Sequence, residues 1–249
     1  MVKEKMLQIS INQLSIGYKK SNQSVEVLTD LNHHFYAGEL IGLVGLNGVG
    51  KSTLIKSIAG LIPILKGEIV LAGISVHYNQ LDQLAKKVSV VLTEKFGGFN
   101  LKALDVVCSG LSPYTNAFHQ LDHSQLQVVE EAIQQCGLQN HQDKLVEELS
   151  DGFFQRTLIA KALAQQTPVM LLDEPTAYLD FASKHELFLL LKNLAEEQNK
   201  CIIISSHDLE LQLKYCHSLL LINENSSELV KVEEAKSNSH FMAITKGFL

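Results

Sequence analysis

The amino-acid sequence predicts an α/β fold with a largely parallel β-sheet. Fully apolar runs at residues 40–44 and 169–172 are typical of strands that are buried on both faces of such a sheet. Segments with helical spacing alternate with the apolar runs, which is the pattern of successive strand–helix units. The length of 249 residues suits one large domain that buries a substantial core.

The N-terminal part of the sequence predicts strands of another kind. Apolar residues alternate with polar ones from Leu7 to Leu14, as in a half-buried strand. A polar, turn-like stretch at residues 19–24 precedes a second strand at residues 25–28. We therefore expect an antiparallel β part ahead of the parallel sheet.

Residues 95–149 have a different sequence pattern, which predicts an inserted helical subdomain. Asp122 or Ser124 is placed to cap a helix there, and Gly137 is placed to end it. The surrounding core is expected at residues 1–94 and 150–249. No pattern assigns a role to residues 226–249.

The remaining elements of the core follow from apolar runs and helical spacing. Strands are expected at residues 67–71, 88–92, 201–204 and 219–222. Helices are expected at residues 53–59, from Ser150 to about residue 165, and at 183–198.

Composition excludes several classes of protein. The formal charge of −6 and the pI near 5.9 argue against a nucleic-acid-binding surface. No run of 18 apolar residues is present and the N-terminus lacks the apolar core of a signal peptide, so we expect a cytosolic chain. The four cysteines lack paired spacing and are expected to be buried, reduced thiols.

Residues 45–53 match the phosphate-binding loop pattern G-x-x-x-x-G-K-S/T. The loop lies between a predicted strand and a predicted helix, which is the context that this pattern requires. Its glycines allow backbone N–H groups to face a polyphosphate, and the following helix directs its positive end at the same charge. Lys51 would reach the β- and γ-phosphates, and Ser52 would offer its hydroxyl to Mg²⁺.

Two carboxylates follow the apolar run at residues 169–172. Asp173 is placed to hold Mg²⁺, and Glu174 is placed to orient or deprotonate an attacking water molecule. A buried salt bridge is the alternative interpretation of this acidic pair. Farther along the chain, Ser150 is suited to cap a helix, and His207 follows a strand. Taken singly, these last two residues are also consistent with an ordinary capped helix and a polar loop.

Together and in this order, these residues resemble the ATP-binding subunit of ABC transporters, from about residue 7 to residue 222. The resemblance covers the Walker A loop at residues 45–53, the Walker B strand ending at Asp173, the signature segment at residues 149–152, the D-loop at 177–180 and the switch histidine His207. It implies a RecA-like P-loop NTPase core. Tyr18 matches the aromatic residue that stacks on adenine in that family, although it is also explained as a plain strand-end aromatic.

The resemblance implies a set of roles for individual residues. The catalytic residues would be Glu174, His207 and Lys51. The ATP-binding residues would be Tyr18, Asn47, Gly48, Gly50, Lys51, Ser52, Thr53, Ser150 and Gly152, and the Mg²⁺ ligands would be Ser52, Asp173 and Glu94.

The resemblance also implies partners. Two copies would face each other head to tail, with each ATP between Lys51 of one copy and residues 150–152 of the other. Transmembrane permease subunits, and indirectly a substrate-binding protein, would complete the transporter at the inner face of the membrane. No nucleic acid is expected.

Three positions depart from the family pattern. Glu94 stands where the family usually has Gln, so we expect an altered Mg²⁺ dependence or turnover. Asp151 and Phe153 stand where Gly and a polar residue are common. We expect Phe153 and its neighbour Phe154 to serve packing or partner contact, and the alternative is that they have no special role.

Within the family, residues 110–114 are similar to a sequence stretch in the cassettes of importers for iron chelates, haem and cobalamin, although Leu111 replaces an Arg. We expect residues 96–114 to dock the permease, with core packing as the competing interpretation. The cargo is not encoded in a cassette. The alternatives to an importer are an exporter cassette, a soluble ABC protein that acts outside transport, and an ATP-dependent clamp with negligible turnover.

Overall fold

The computed structural model describes residues 5–20, 23–76, 80–92, 100–115, 121–223 and 226–245. The strands are β1 (Leu7–Lys20), β2 (Gln23–Tyr36), β3 (Leu40–Val44), β4 (Lys66–Leu71), β5 (Ile74–Ser75), β6 (Val88–Val91), β7 (Val169–Asp173), β8 (Cys201–Ser205), β9 (Ser218–Ile222) and β10 (Ser227–Lys231). The helices are α1 (Lys51–Ile58), α2 (Leu81–Leu84), α3 (Ala103–Cys108), α4 (His123–Gln135), α5 (Asp151–Ala164), α6 (Phe181–Gln198), α7 (Leu209–Tyr215), α8 (Val232–Ala235) and α9 (Ser239–Thr245). Short 3-10 helices lie at Ser109–Tyr114 and Val146–Glu148.

A six-stranded sheet in the order β10-β9-β3-β8-β7-β6 forms the centre of the molecule. All neighbouring strands are parallel except the pair β9 and β10. Successive residues of the central strands enter two different apolar cores, so that Leu40 packs on one side of the sheet and Ile41 on the other. The predicted α/β class and its largely parallel sheet are confirmed.

A four-stranded antiparallel sheet in the order β2-β1-β4-β5 covers the face that carries α1. This is the predicted N-terminal antiparallel part. The prediction for its second strand was too short, because β2 continues beyond residue 28 to Tyr36. Leu31 and Phe35 on this extension are buried, while polar residues between them obscure the alternation in the sequence.

The opposite face of the sheet carries the helices of the predicted insertion. Buried residues of α3, α4 and α5 share one apolar core, in which Val107, Ile133 and Ile159 are fully or almost fully buried. Asp122 caps α4 by accepting the backbone N–H of Gln125 at 2.9 Å, which selects between the two predicted caps. Helix α5, which follows residue 150, packs on α3 and α4. The division of the chain at residue 150 into a helical subdomain and a core stays a prediction.

The C-terminal segment, to which no sequence pattern assigns a role, forms β10, α8 and α9. Phe241 and Ile244 anchor α9 in the core. His240 on the same helix contacts the turn between β9 and β10, with its Nε2 2.5 Å from Asn223 Nδ2 and 3.0 Å from Ser226 Oγ. The segment therefore supports one edge of the central sheet.

The four cysteines are free thiols, and all but the half-buried Cys108 are buried. Burial raises the pKa of Cys136 to about 12, which makes this thiol unreactive at neutral pH. Among the described residues, none of the helices combines the length and the apolar character that crossing a bilayer requires.

Helix α6 offers a matched test of the core. Phe188 is fully buried, and Phe181 on the same helix is 74% exposed. We expect Phe188→Ala to lower the free energy of unfolding by about 3–5 kcal/mol, because the truncation leaves a cavity in a packed core. Phe181→Ala should change it by no more than about 0.5 kcal/mol. Urea unfolding of both variants measures this, and equal losses would contradict the assigned packing.

Candidate functional site

The loop between β3 and α1 has the backbone that a phosphate cradle needs. Gly48 and Gly50 adopt φ values of +78° and +115°, which are costly for residues with a side chain. A Cβ atom at Gly50 would also lie 2.7 Å from Cγ1 of Val27, too close for any other residue. Asn47 and Gly48 are exposed at the tip of the loop, where a ligand can reach their backbone N–H groups.

Lys51 opens α1 and turns back over this loop. Its ammonium donates to the backbone carbonyls of Gly45 at 2.7 Å and Leu46 at 3.1 Å. Burial lowers the pKa of Lys51, while the nearby carboxylates of Glu174 and Asp173 oppose that change. A cation held by neutral carbonyl acceptors beside the phosphate loop is suited to bind a polyanion.

Asp173 connects three elements at the carboxyl end of the sheet. Its Oδ1 accepts the hydroxyl of Ser52 from α1 at 2.9 Å and the hydroxyl of Ser205 from β8 at 2.7 Å. The carboxylate is 6% exposed, so these two charge-assisted hydrogen bonds offset part of its desolvation. The predicted pair of Ser52 and Asp173 is thus in direct contact.

Glu174 follows in an unusual backbone conformation. Its φ of +51° lies in the left-handed region, a strain of about 1–3 kcal/mol for a residue with a side chain. The backbone N–H donates to Ser205 Oγ at 2.9 Å and to the Ser205 carbonyl at 3.2 Å, which holds this conformation. Strained residues that the surrounding structure holds in place are typical of active sites.

The carboxylate of Glu174 lies among charged groups. Burial raises its pKa and Asp173 adds to this, while His207 and Lys51 act in the opposite direction. Its Oε1 lies 3.3 Å from Nε2 of His207. Its Oε2 is buried and has no hydrogen-bond partner among the described residues.

His207 is held through both of its neighbours in the chain. The carboxylate of Asp208 accepts from Lys184 Nζ at 2.9 Å and from the hydroxyl of Thr176 at 3.0 Å. The hydroxyl of Ser206 lies 2.9 Å from that of Thr176. Sequence reasoning missed Lys184 and Thr176, because they are distant from His207 in the sequence and contact its chain neighbours, Ser206 and Asp208, through the fold.

Tyr18, at the end of β1, lies beside the first turn of α1. Its hydroxyl is 3.0 Å from Oγ1 of Thr53, and the side chain is 48% exposed. The residue that the sequence predicts to stack on adenine therefore presents an accessible aromatic ring beside the phosphate loop. This geometry is compatible with stacking on a base and is also that of a hydrogen-bonded strand-end tyrosine.

An open cleft of about 720 Å³ adjoins the phosphate loop. Residues of the loop, of β2 and of the turn after β9 line it: Glu26, Val27, Leu46, Asn47, Gly48, Val49, Asn223 and Ser226. Sequence reasoning missed Asn223 and Ser226, since the turn that carries them bears no motif. His240 holds both residues, so the C-terminal helix α9 shapes this wall of the cleft.

Ser150 and Gly152 lie at the start of α5. Ser150 caps the helix, with its Oγ 3.5 Å from the backbone nitrogen of Phe153, and it is exposed to solvent. In the described part of the chain, no hydrogen bond connects either residue to the loop at residues 45–53. The N-terminal end of α5 is therefore a second exposed surface.

The two aromatic residues that follow are used in packing. Phe153 stacks on the imidazole of His141, with ring centroids 3.7 Å apart and an interplanar angle of 19°. Phe154 is 8% exposed and belongs to the apolar core. Of the interpretations considered for these aromatics, the structure supports packing.

Glu94, Phe96 and Phe99 lie outside the described residues. The place of Glu94 at the metal site therefore stays a prediction. Within the predicted docking segment, Leu101 is 38% exposed. The hydroxyl of Tyr114 donates to the carbonyl of Gln165 at 3.0 Å, which ties the end of the segment to α5.

Comparison with known proteins agrees with this geometry. The family model described as ABC transporter matches residues 28–177. An uncharacterized ABC transporter ATP-binding protein of Methanocaldococcus jannaschii is 37% identical over 87% of this chain and 73% of its own length. The iron(3+)-hydroxamate import ATP-binding protein of Bacillus subtilis is 31% identical over 89% of this chain and 81% of its own.

A solved structure is similar over almost the whole fold. It is a dimeric ATP-binding cassette in a post-hydrolysis state with bound ADP and Pi. It superposes with a TM-score of 0.76 at 25% identity, and the match covers 90% of this chain and 98% of that one. The chain therefore belongs to the ABC transporter family, and it is one of the family's ATP-hydrolysing cassettes.

Proposed function

We propose that this cassette hydrolyses ATP to energise a membrane importer for iron-siderophore complexes, haem or cobalamin. The observation that carries the catalytic part is the meeting of Lys51, Asp173 and Glu174 with His207 at one end of the parallel sheet. The importer part is supported by the stretch at residues 110–114 and by the similarity to the iron(3+)-hydroxamate import protein.

The phosphate loop and Lys51 would bind the triphosphate. The backbone N–H groups of the loop and the start of α1 supply partial positive charge, and Lys51 supplies a full charge. A bound phosphate would attract the Lys51 ammonium away from the carbonyls of Gly45 and Leu46, which are neutral acceptors. Asn47, Gly48 and Gly50 shape the loop, and Ser52 and Thr53 follow it.

The residues around Asp173 fit a magnesium ion. A serine hydroxyl and a carboxylate are oxygen ligands of the kind that Mg²⁺ prefers, and Ser52 and Asp173 already lie in contact. When bound, the ion would neutralise charge on the phosphates. Glu94 would be a further ligand.

Glu174 is suited to act as the general base toward a water molecule. Burial keeps its pKa closer to neutrality than that of an exposed glutamate, which favours proton acceptance. His207 faces the same carboxylate at 3.3 Å and would orient it. His207 would also donate a hydrogen bond to the terminal phosphate. The strained backbone of Glu174 fixes the direction of the side chain before the substrate arrives.

A second copy of the chain would complete each ATP site. The exposed helix end with Ser150 and Gly152 presents the first backbone N–H groups of α5, the hydroxyl of Ser150 and the positive pole of the helix. These groups would contact the terminal phosphate on the partner copy, and Tyr18 would stack on the adenine. The dimeric state of the similar cassette supports this arrangement.

The membrane partners would dock through the segment that ends at Tyr114, where Leu101 is exposed. The partners would be transmembrane permease subunits, served in turn by a substrate-binding protein. The chain would then work at the inner face of the membrane. The genes next to this one test the importer assignment, because they should encode a multi-span permease and a binding component.

We expect Glu174→Gln to lower the rate of phosphate release by roughly 10²-fold or more, since the amide cannot accept the proton. The rate of the parent chain should fall as the pH drops through the raised pKa of Glu174, because protonation removes the base. Phosphate release by the purified chain measures both effects. Glu233→Gln, at an exposed position on α8, is the control. An active Glu174→Gln would exclude the proposed base.

We expect Lys184→Met to lower kcat about tenfold without changing KM for ATP, because Asp208 loses its ion pair and His207 loses its fixed position. Lys184→Arg should restore kcat. Steady-state kinetics test this, with Lys192→Met as the control, since that lysine forms an exposed pair on the same helix. Equal effects at positions 184 and 192 would remove Lys184 from the site.

A further inference from the structure

A small cavity separates the first turn of α5 from the segment that follows β7. Asp151 and Gln155 line it from α5, while Glu174, Pro175 and Tyr178 line it from the other side. Its free volume is about 10 Å³, which is close to the minimum that one water molecule needs. The cavity therefore lies directly between the signature helix and the proposed base.

Two buried polar atoms on its lining residues lack partners among the described residues. One is the donor Nε2 of Gln155, a residue that is 8% exposed, and the other is the acceptor Oε2 of Glu174. Buried polar atoms in native proteins almost always have a hydrogen-bond partner, in the protein or in ordered water. An unsatisfied donor and an unsatisfied acceptor beside one cavity are complementary, because a water molecule accepts from the first and donates to the second.

We infer that a single water molecule binds in this cavity, accepts a hydrogen bond from Gln155 Nε2 and donates one to Glu174 Oε2. The inference rests on the proposed role of Glu174 as the base. It assigns Gln155 as a positioning residue, which acts on the base through the bound water.

The water would fix the direction of the base. Held at Oε2, the carboxylate keeps Oε1 directed at His207, from which it lies 3.3 Å away. Without the water, Oε2 has no hydrogen-bond partner among the described residues, so no hydrogen bond at that oxygen opposes rotation of the carboxylate.

The same water would connect two parts of the cassette. Gln155 lies on α5, whose first turn is the surface proposed to meet the ATP of the second copy. Glu174 serves the ATP bound to its own chain. A shift of α5 on dimer closure would therefore change the hydrogen bond to the base and the direction of its carboxylate.

A crystal structure of the nucleotide-free parent chain tests the site without any activity measurement. We expect an ordered water molecule within hydrogen-bonding distance of both Gln155 Nε2 and Glu174 Oε2. An empty cavity, or a direct bond between the two side chains, would overturn the inference. If the parent releases no phosphate, the proposed function fails, and this crystallographic result still decides whether the water is bound.

Steady-state kinetics and a crystal structure of Gln155→Met test the positioning role. The substitution keeps the length of the side chain and removes the donor, so we expect a several-fold lower kcat with KM for ATP unchanged. The crystal structure should lack the water and show Glu174 Oε1 turned away from His207. Gln198→Leu, which removes an exposed contact with Gln135, should leave kcat and the water unchanged.

Thermal unfolding of both variants shows whether they are folded at the assay temperature. A folded Gln155→Met with the parent's kcat would contradict the positioning role. A loss of kcat with the water and the Glu174 carboxylate in their original places would also contradict it, because a merely structural role predicts that pattern.

Discussion

The site depends on the hydrogen bonds that the carboxylate of Asp173 accepts. A single oxygen of this group accepts the hydroxyl of Ser52 at 2.9 Å and that of Ser205 at 2.7 Å. These bonds join the helix after the phosphate loop to two neighbouring strands of the parallel sheet. The charge is buried, so the loss of either donor would leave it poorly compensated. Since Ser205 also holds the backbone of Glu174, the same contact sets the direction of the proposed base.

The single chain presents two surfaces at different places. One carries the phosphate loop, the acidic pair and His207, and the other is the exposed start of α5. Both surfaces display groups that favour negative charge: a lysine and backbone N–H groups on the first, and a helix N-terminus with Ser150 on the second. In the proposed head-to-tail dimer, one ATP would contact both surfaces, which would give the nucleotide a direct role in holding the two copies together.

The sequence predicted the fold class, the positions of Asp173 and His207 at strand ends and that of Lys51 between a strand and a helix, because fully apolar runs mark buried parallel strands clearly. It underestimated β2, whose buried residues are interrupted by polar ones. It could not identify Lys184, Asn223 or His240 as parts of the site, since each acts through a side-chain contact with a segment distant in the chain. Such contacts depend on the angle and register of packed elements, which local patterns do not contain.

The central claim is that two copies of the chain enclose ATP, and the molar mass of a hydrolysis-deficient chain in solution tests it most directly. Light scattering of Glu174→Gln should show a monomer without nucleotide and a doubled mass when ATP and Mg²⁺ are added, because the nucleotide is bound and not consumed. A chain that binds labelled ATP and keeps the mass of a monomer over the whole accessible concentration range would contradict the account.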